Sequence, residues 1–425
     1  MITIQPVDAV DNTITVPGSK SLTQRALIAA ALAEGVSVLH GPLASADTAY
    51  TIQALQQMGI TVDDSNPQAW HVNGLGGRIA TPEDPIYLGN NGTATRFLTA
   101  LVALGYGIIH ITGNERMAKR PILPLMEALK GWGADIVSDA DNGCPPLTIQ
   151  AKGLAGNTTT LPAGQSSQYL SALLLVAPYT RSPAELFVQG AILSQPYVHM
   201  TLAVMADFGI RVEAARSLNH FRIPQGHYQA RQYHVEGDAS GASYFWGAAA
   251  VTGGRVTVAN VPIPSLQGDT NLVPLLARMG CEVTQTGAGV TVHGPDQLEG
   301  IEVDMGDMPD VVPTLAVVAA FAQGTTTINN IAHLRIKECD RLSGVVTELR
   351  KMGARVNEEE DRMVIHGQAC GSNLHGATIS TYEDHRMAMC FAIAGLKIPG
   401  VTITDAACVA KSFPNFWEVF TTLGS

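Results

Sequence analysis

Six times along the chain a β-branched run gives way to a short polar turn and then to an apolar stretch of helical length. The turns open as PGSKS at Pro17, GNNGTATR at Gly89, AGQSSQ at Ala163, EGDASGAS at Glu236, MGDMPD at Met305 and YEDHR at Tyr382. They recur at roughly 70–80 residues, well beyond the period of ordinary solenoid repeats. Each apolar helix is followed by another strand, such as SVLHG, IIHITG, LFVQG, RVTVAN, TTTIN or VTITD. A second helix then ends in a bulky residue plus Gly, as in LQQMGITV, LKGWGADIV, MADFGIRV, LARMGCEV and LRKMGARV. The Gly suits the left-handed position just past a helix end, and the bulky residue packs the last turn. Short closing strands follow: WHVNG, LTIQAKG, FRIPQG, VTVHGP and MVIHGQ.

One unit therefore reads strand, turn, helix, strand, turn, helix, two strands. The sixth unit stops at its second helix, FPNFWEVFTTLG, while ITIQPV at the start of the chain looks like a closing strand. The N-terminal strands are therefore expected to complete the last unit. The prediction is an α/β protein of two domains, each built from three βαβαββ units. One domain spans residues 20–235; the other joins 1–19 to 236–425, with crossings near Ser19 and Val235–Gly237.

Composition changes this picture little. The chain has 425 residues, 46% hydrophobic and only 15% charged, with 42 glycines, as suits a compact α/β protein with many tight turns. A net charge of −11 argues against nucleic acid or an acidic membrane as partner. Six scattered cysteines without a CxxC pair offer neither zinc nor redox spacing. The start lacks the basic-then-apolar pattern of a signal peptide, and Ala26–Ala33 and Leu170–Ala177 are too short to span a bilayer. A cytoplasmic protein without a metal is expected.

The charges that do occur are placed unusually. Lys20, Arg25, Arg96, Arg120, Lys337, Arg341, Arg386 and Lys411 all fall at the turns that open helices, although the chain has only 26 Lys and Arg. A cation at a helix N-terminus opposes the helix dipole unless an anion offsets both. Anionic ligands at these turns are therefore expected. Singly, the motifs have plainer readings. PGSKSLTQR is a Ser-capped turn without the glycine spacing of a P-loop, GNNGTATR a Gly turn with a Thr cap, and QSSQ a capped helix start. Asp310, after a Pro at a helix start, reads as a capping carboxylate. In RIKECDR the i, i+1, i+4 spacing would put Lys337 and Arg341 on one helix face with Glu338 beside them.

Taken together and in order, PGSKSLTQRAL, LGNNGTATR, RMAKRPI, QSSQYLSALL, SQPYVHMTL, EGDASGASYF, RIKECDR, YEDHRMAM and AKSFPNF resemble the enolpyruvyl transferase family across essentially the whole chain. Within it they resemble the branch that acts on shikimate 3-phosphate. The resemblance implies transfer of the enolpyruvyl group of phosphoenolpyruvate to the 5-hydroxyl of shikimate 3-phosphate, releasing phosphate, on the way to chorismate and the aromatic amino acids. It implies two three-unit domains with the active site in the cleft between them, closing around the first ligand, a monomer, and no cofactor. Shikimate 3-phosphate would be held by Lys20, Ser21, Arg25, Ser166, Ser167, Gln168, Ser194, Tyr197, Asp310, Lys337 and the position of His333. Phosphoenolpyruvate would be held by Lys20, Asn90, Gly92, Arg120, Gln168, Arg341, His385, Arg386 and Lys411. Asp310 would take the hydroxyl proton, and Glu338 with Lys20 would serve the methylene carbon.

Departures from the family pattern are His333 in place of an expected Asn, and Asn91 and Phe97 in place of Ala and Pro. Gly92 resembles that of inhibitor-sensitive members, so glyphosate is expected to compete with phosphoenolpyruvate. The sister branch, acting on UDP-N-acetylglucosamine, carries Asn where Ser21 stands and a Cys missing from NERMAKRPI. A non-catalytic anion-binding scaffold is the rival of another class; it has no need of Asp310 and Glu338 among the cations.

Overall fold

The computed structural model describes residues 1–162 and 166–424; Ala163–Gln165, which open the third polar turn, and Ser425 lie outside them. The chain divides into two compact units, residues 18–235 and residues 1–17 with 236–425.

In the first unit the helices are α1 (Lys20–Leu32), α2 (Ala46–Gln57), α3 (Gly92–Val102), α4 (Leu123–Gly131), α5 (Ser167–Val176) and α6 (Gln195–Asp207). In the second they are α7 (Ala239–Thr252), α8 (Leu272–Arg278), α9 (Val312–Ala320), α10 (Arg341–Lys351), α11 (His385–Gly395) and α12 (Phe416–Thr421). The first helix of every repeat lies inside. α1, α3 and α5 pack on one another, as do α7, α9 and α11. Every residue of α7, α9 and α11 is buried, which explains why these segments read as apolar all round rather than striped. Each large aliphatic side chain so buried contributes about 1.5–3 kcal/mol, and each unit has its own continuous core.

Each repeat contributes a small sheet in which the first two strands run parallel and the rest antiparallel. In the second repeat, Ile86–Tyr87 pairs parallel with Tyr106–Thr112, which pairs antiparallel with Leu147–Lys152 and through it with Asp135–Ser138. The five glycines read as helix stops all have positive φ: Gly59 at 83°, Gly133 at 87°, Gly209 at 95°, Gly280 at 106° and Gly353 at 89°.

The strands at the crossings meet the expectation in part. Ile2–Thr3 pairs with Thr402–Ile403 in the sheet of the sixth repeat. Asp11–Ile14 does not follow it there; it runs parallel to Arg255–Val258 and opens the sheet of the fourth repeat. Gln232–His234 likewise pairs with Val38–His40 and opens the sheet of the first repeat. At both crossings, then, a strand belongs to one unit and the helix after its turn to the other. The first division falls between Pro17 and Gly18, not after Ser19. Gly18 already packs in the first unit, so closely on Gly41 that a Cβ would collide with its carbonyl. Pro17 is held in the second unit, its carbonyl accepting from Asp238 N at 2.8 Å.

Candidate active site

In residues 18–235 the polar turns meet around the starts of α1, α3 and α5. Ser19 caps α1, accepting from Leu22 N at 3.4 Å, and Lys20 and Ser21 are its first residues. Lys20 Nζ lies 3.3 Å from Asp47 Oδ2, both largely buried. Asn91 caps α3, accepting from Ala94 N at 2.9 Å, and donates to the Asp47 carbonyl at 2.7 Å, tying the starts of α2 and α3 together. Its appearance where the family pattern has Ala thus has a structural reason. Phe97, the other departure in that motif, lies under the Arg25 guanidinium at 5.3 Å from ring centroid to Cζ.

Arg120 Nη1 donates to the carbonyl and side-chain oxygen of Asn90 at 3.2 and 3.1 Å. At Gly92, the first residue of α3, a Cβ would collide with Arg96 Nη1 and sit 2.5 Å from Arg120 Nη2. Two guanidinium groups are therefore pressed against one helix N-terminus, an arrangement that favours an anion. Ser166 caps α5, accepting from Gln168 N at 3.3 Å; Ser167 is its first residue, and Gln168 Nε2 reaches Thr93 Oγ1 at 3.0 Å. Ser194, before α6, takes a left-handed φ of 58°. Arg25 is buried and donates to Thr201 Oγ1 (2.7 Å), the Ser21 carbonyl (2.9 Å), Ser171 Oγ (3.2 Å) and the Tyr197 carbonyl (3.2 Å). Burial lowers its pKa to about 10, against the opposing influence of Tyr197 and Tyr233.

In the second unit the centre is Arg341, the first residue of α10 and 1% exposed. It donates to Asp384 (Nε to Oδ2 2.7 Å, Nη2 to Oδ1 3.3 Å), to Glu338 Oε2 at 2.6 Å and to Asp310 Oδ1 at 2.9 Å. Arg386 Nη2 donates to Asp310 Oδ2 at 2.6 Å and Nη1 to Tyr244 Oη at 3.3 Å. Asp310 thus bridges two buried guanidinium groups. It is no simple helix cap, because its short 3₁₀ turn, Pro309–Val311, carries the side chain across to α10 and α11 instead. Burial works against the charge of Arg341, but Asp384, Glu338 and Asp310 outweigh it and push its pKa up. His385, at the start of α11, is fully buried beside Asp384. Lys411 closes the 3₁₀ helix Ala406–Lys411.

Lys337 and Arg341 do not share a helix face. Asp340 accepts from Ser343 N at 3.0 Å and starts α10 only at Arg341, leaving Lys337 to end the 3₁₀ helix Ala332–Ile336. Glu338 still meets Arg341 across that break. His333 is buried with Nε2 unpartnered; burial and then Lys337 lower its pKa to about 4, so it is neutral near pH 7.

Two groups that sequence reasoning left out of the site belong to this network. Asp384 anchors Arg341 and caps α11 by accepting from Arg386 N at 2.9 Å; an Asp immediately before an apolar helix was the available signal. Asp269 is buried, accepts from Ser240 Oγ, and has Oδ1 without a hydrogen-bond partner. Burial and then the charge of Asp310 raise its pKa from 3.8 to about 7. Because the folded pKa exceeds the unfolded one, stability from this group is full below about pH 4 and is lost as pH rises through about 7. Asp269→Asn is accordingly expected to raise stability at alkaline pH, on the order of 2–4 kcal/mol, and to make little difference in acid. Unfolding curves of both proteins across that range check this; a pH-independent difference would count against it. Among the described residues no group of His, Cys, Asp and Glu could hold a metal ion.

A family model described as EPSP synthase (3-phosphoshikimate 1-carboxyvinyltransferase) matches residues 4–420. A 3-phosphoshikimate 1-carboxyvinyltransferase of Nostoc punctiforme is 44% identical over 419 residues, covering 98% of this chain and 96% of its own. One of Syntrophobacter fumaroxidans is 44% identical over 424 residues, covering 100% and 99%. Among solved structures, an EPSP synthase from Acinetobacter baumannii superposes with a TM-score of 0.83 at 28% identity, covering 99% of this chain and 98% of its own.

Proposed function

The chain belongs to the EPSP synthase (3-phosphoshikimate 1-carboxyvinyltransferase) family, and from that membership we propose how its residues carry out the transfer. The enzyme is a transferase of the shikimate pathway, with shikimate 3-phosphate and phosphoenolpyruvate as substrates. In our reading the polar groups of both units serve this one reaction. Lys20, Ser21, Arg25, Ser166, Ser167, Gln168, Ser194, Tyr197 and Lys337 hold shikimate 3-phosphate, and neutral His333 supplies a ring nitrogen where the pattern has an amide. Asn90, Gly92, Arg120, Arg341, His385, Arg386 and Lys411, with Lys20 and Gln168, hold phosphoenolpyruvate. A ligand carrying phosphate and carboxylate matches guanidinium forks better than single ammonium charges.

Asp310 accepts the proton of the 5-hydroxyl as its oxygen bonds to C2 of phosphoenolpyruvate, while Glu338 or Lys20 delivers a proton to C3. The resulting tetrahedral intermediate is stabilised by the surrounding guanidinium groups. Loss of a C3 proton and departure of phosphate then restore the double bond. The observation that carries this assignment is the Asp310 carboxylate set between Arg341 and Arg386, with Glu338 on the same arginine. The same reading takes the enzyme as a cytoplasmic monomer; among the described residues no helix is long and apolar enough to cross a membrane.

The experiment is phosphate release from phosphoenolpyruvate with each acceptor. Turnover is expected with shikimate 3-phosphate alone, inhibited by glyphosate competitively against phosphoenolpyruvate. Turnover only with UDP-N-acetylglucosamine would assign the sister activity, and none with either would leave a binding scaffold.

A further inference from the structure

Helix α10 carries more than Arg341. Gly344 and Glu348 follow at i+3 and i+7 and return to the same face. The Glu348 side chain is fully buried. It accepts from Lys351 Nζ at 2.9 Å to each oxygen, from Tyr382 Oη at 2.6 Å and from Ser380 N at 3.1 Å. The Tyr382 ring lies over Gly344, with ring carbons 3.5 and 3.6 Å from where a Cβ would stand. Glu348 thus binds the start of the segment Ser380–Asp384, and Arg341 binds its end at Asp384.

That segment needs holding. Tyr382 and Glu383 have φ of 55° and 56°, two successive non-glycine residues in the left-handed region. Side chains with a Cβ adopt this conformation in sequence only when their surroundings enforce it. The turn leads directly into Asp384, which caps α11 through the Arg386 amide, and so into His385 and Arg386.

We propose that Glu348, acting through Tyr382, is a positioning residue for phosphoenolpyruvate: it clamps the strained turn that aims Arg386. This rests on the assignment of Arg386 to phosphoenolpyruvate above. Tyr382 is 42% exposed, so removing its hydroxyl opens no core cavity and takes only one of the hydrogen bonds of the buried Glu348 carboxylate.

Steady-state kinetics of Tyr382→Phe, Glu348→Gln and the double variant, each with a melting curve, test the proposal. Tyr382→Phe should raise KM for phosphoenolpyruvate about tenfold, equivalent to about 1.4 kcal/mol, and leave KM for shikimate 3-phosphate within about twofold. The double variant should be no worse than Glu348→Gln alone, because losing the carboxylate charge already weakens the contact that Tyr382→Phe removes, along with the Lys351 ion pair. A purely structural role would lower the melting temperature while leaving both KM values alone or raising them equally. That result, or an unchanged KM for phosphoenolpyruvate in Tyr382→Phe, overturns the proposal while native turnover stands. Absence of turnover in the native enzyme overturns the underlying reading and the clamp with it.

Discussion

Asp310→Asn is expected to lower kcat by about 10²–10⁴, the usual contribution of a positioned acid–base group, while the enzyme remains folded. The amide keeps the shape and one acceptor, but it cannot take up the hydroxyl proton. Folding should survive because Arg341 keeps its bonds to Asp384 and Glu338, and Arg386 keeps Tyr244. The carboxylate is also the most accessible of the three on Arg341, at 19% exposure against 10% for Glu338 and 0% for Asp384. A ligand hydroxyl can reach it, whereas Asp384 is sealed. Turnover under saturating substrates, beside an unfolding curve, checks the prediction. Near-native kcat in a folded variant would remove Asp310 from catalysis.

The second large effect is on stability. Arg341→Leu leaves the Asp384 and Glu338 carboxylates without their guanidinium and removes one of two from Asp310. Breaking a buried ion pair from one side typically costs about 3–5 kcal/mol, because the remaining charge stays desolvated. Here the arginine holds three carboxylates, so the unit containing residues 236–425 should unfold at markedly lower denaturant. Arg341→Lys should recover only part, since one ammonium cannot reproduce the fork that spans Asp384. Urea unfolding measures both. A Leu variant within about 1 kcal/mol of the native enzyme would mean that this network is not what holds α10 to α11.

What the sequence made legible follows from range. Helix stops at Gly59, Gly133, Gly209, Gly280 and Gly353 depend on residues within one turn, and local pattern located all five. The buried central helices were legible as unstriped apolar runs. The partner of Asp11–Ile14 was not, because Arg255–Val258 lies some 240 positions away and every repeat offers a similar β-branched strand. In the site, the charges were located by their position at helix starts, but not their pairing. RIKECDR looked continuous until Asp340, a strong capping residue, is allowed to interrupt it. Asp384 read as part of a polar turn, since burial at 0% is a property of packing and not of YEDHR. Asp269 sits in a polar turn of the fourth repeat, yet nothing local signals that it is desolvated beside Asp310.

The strand arrangement at the crossings also sets an order on biosynthesis. Every strand of residues 18–235 finds its partner within that segment, so this unit can assemble as soon as it has left the ribosome. Ile2–Thr3 emerges before all of it, yet pairs with Thr402–Ile403. At about 5–20 residues per second, that strand waits on the order of 20–80 s for a partner to be made. These residues, translated before residues 18–235, are placed after them, and a chain truncated before Thr402 leaves them nowhere to go.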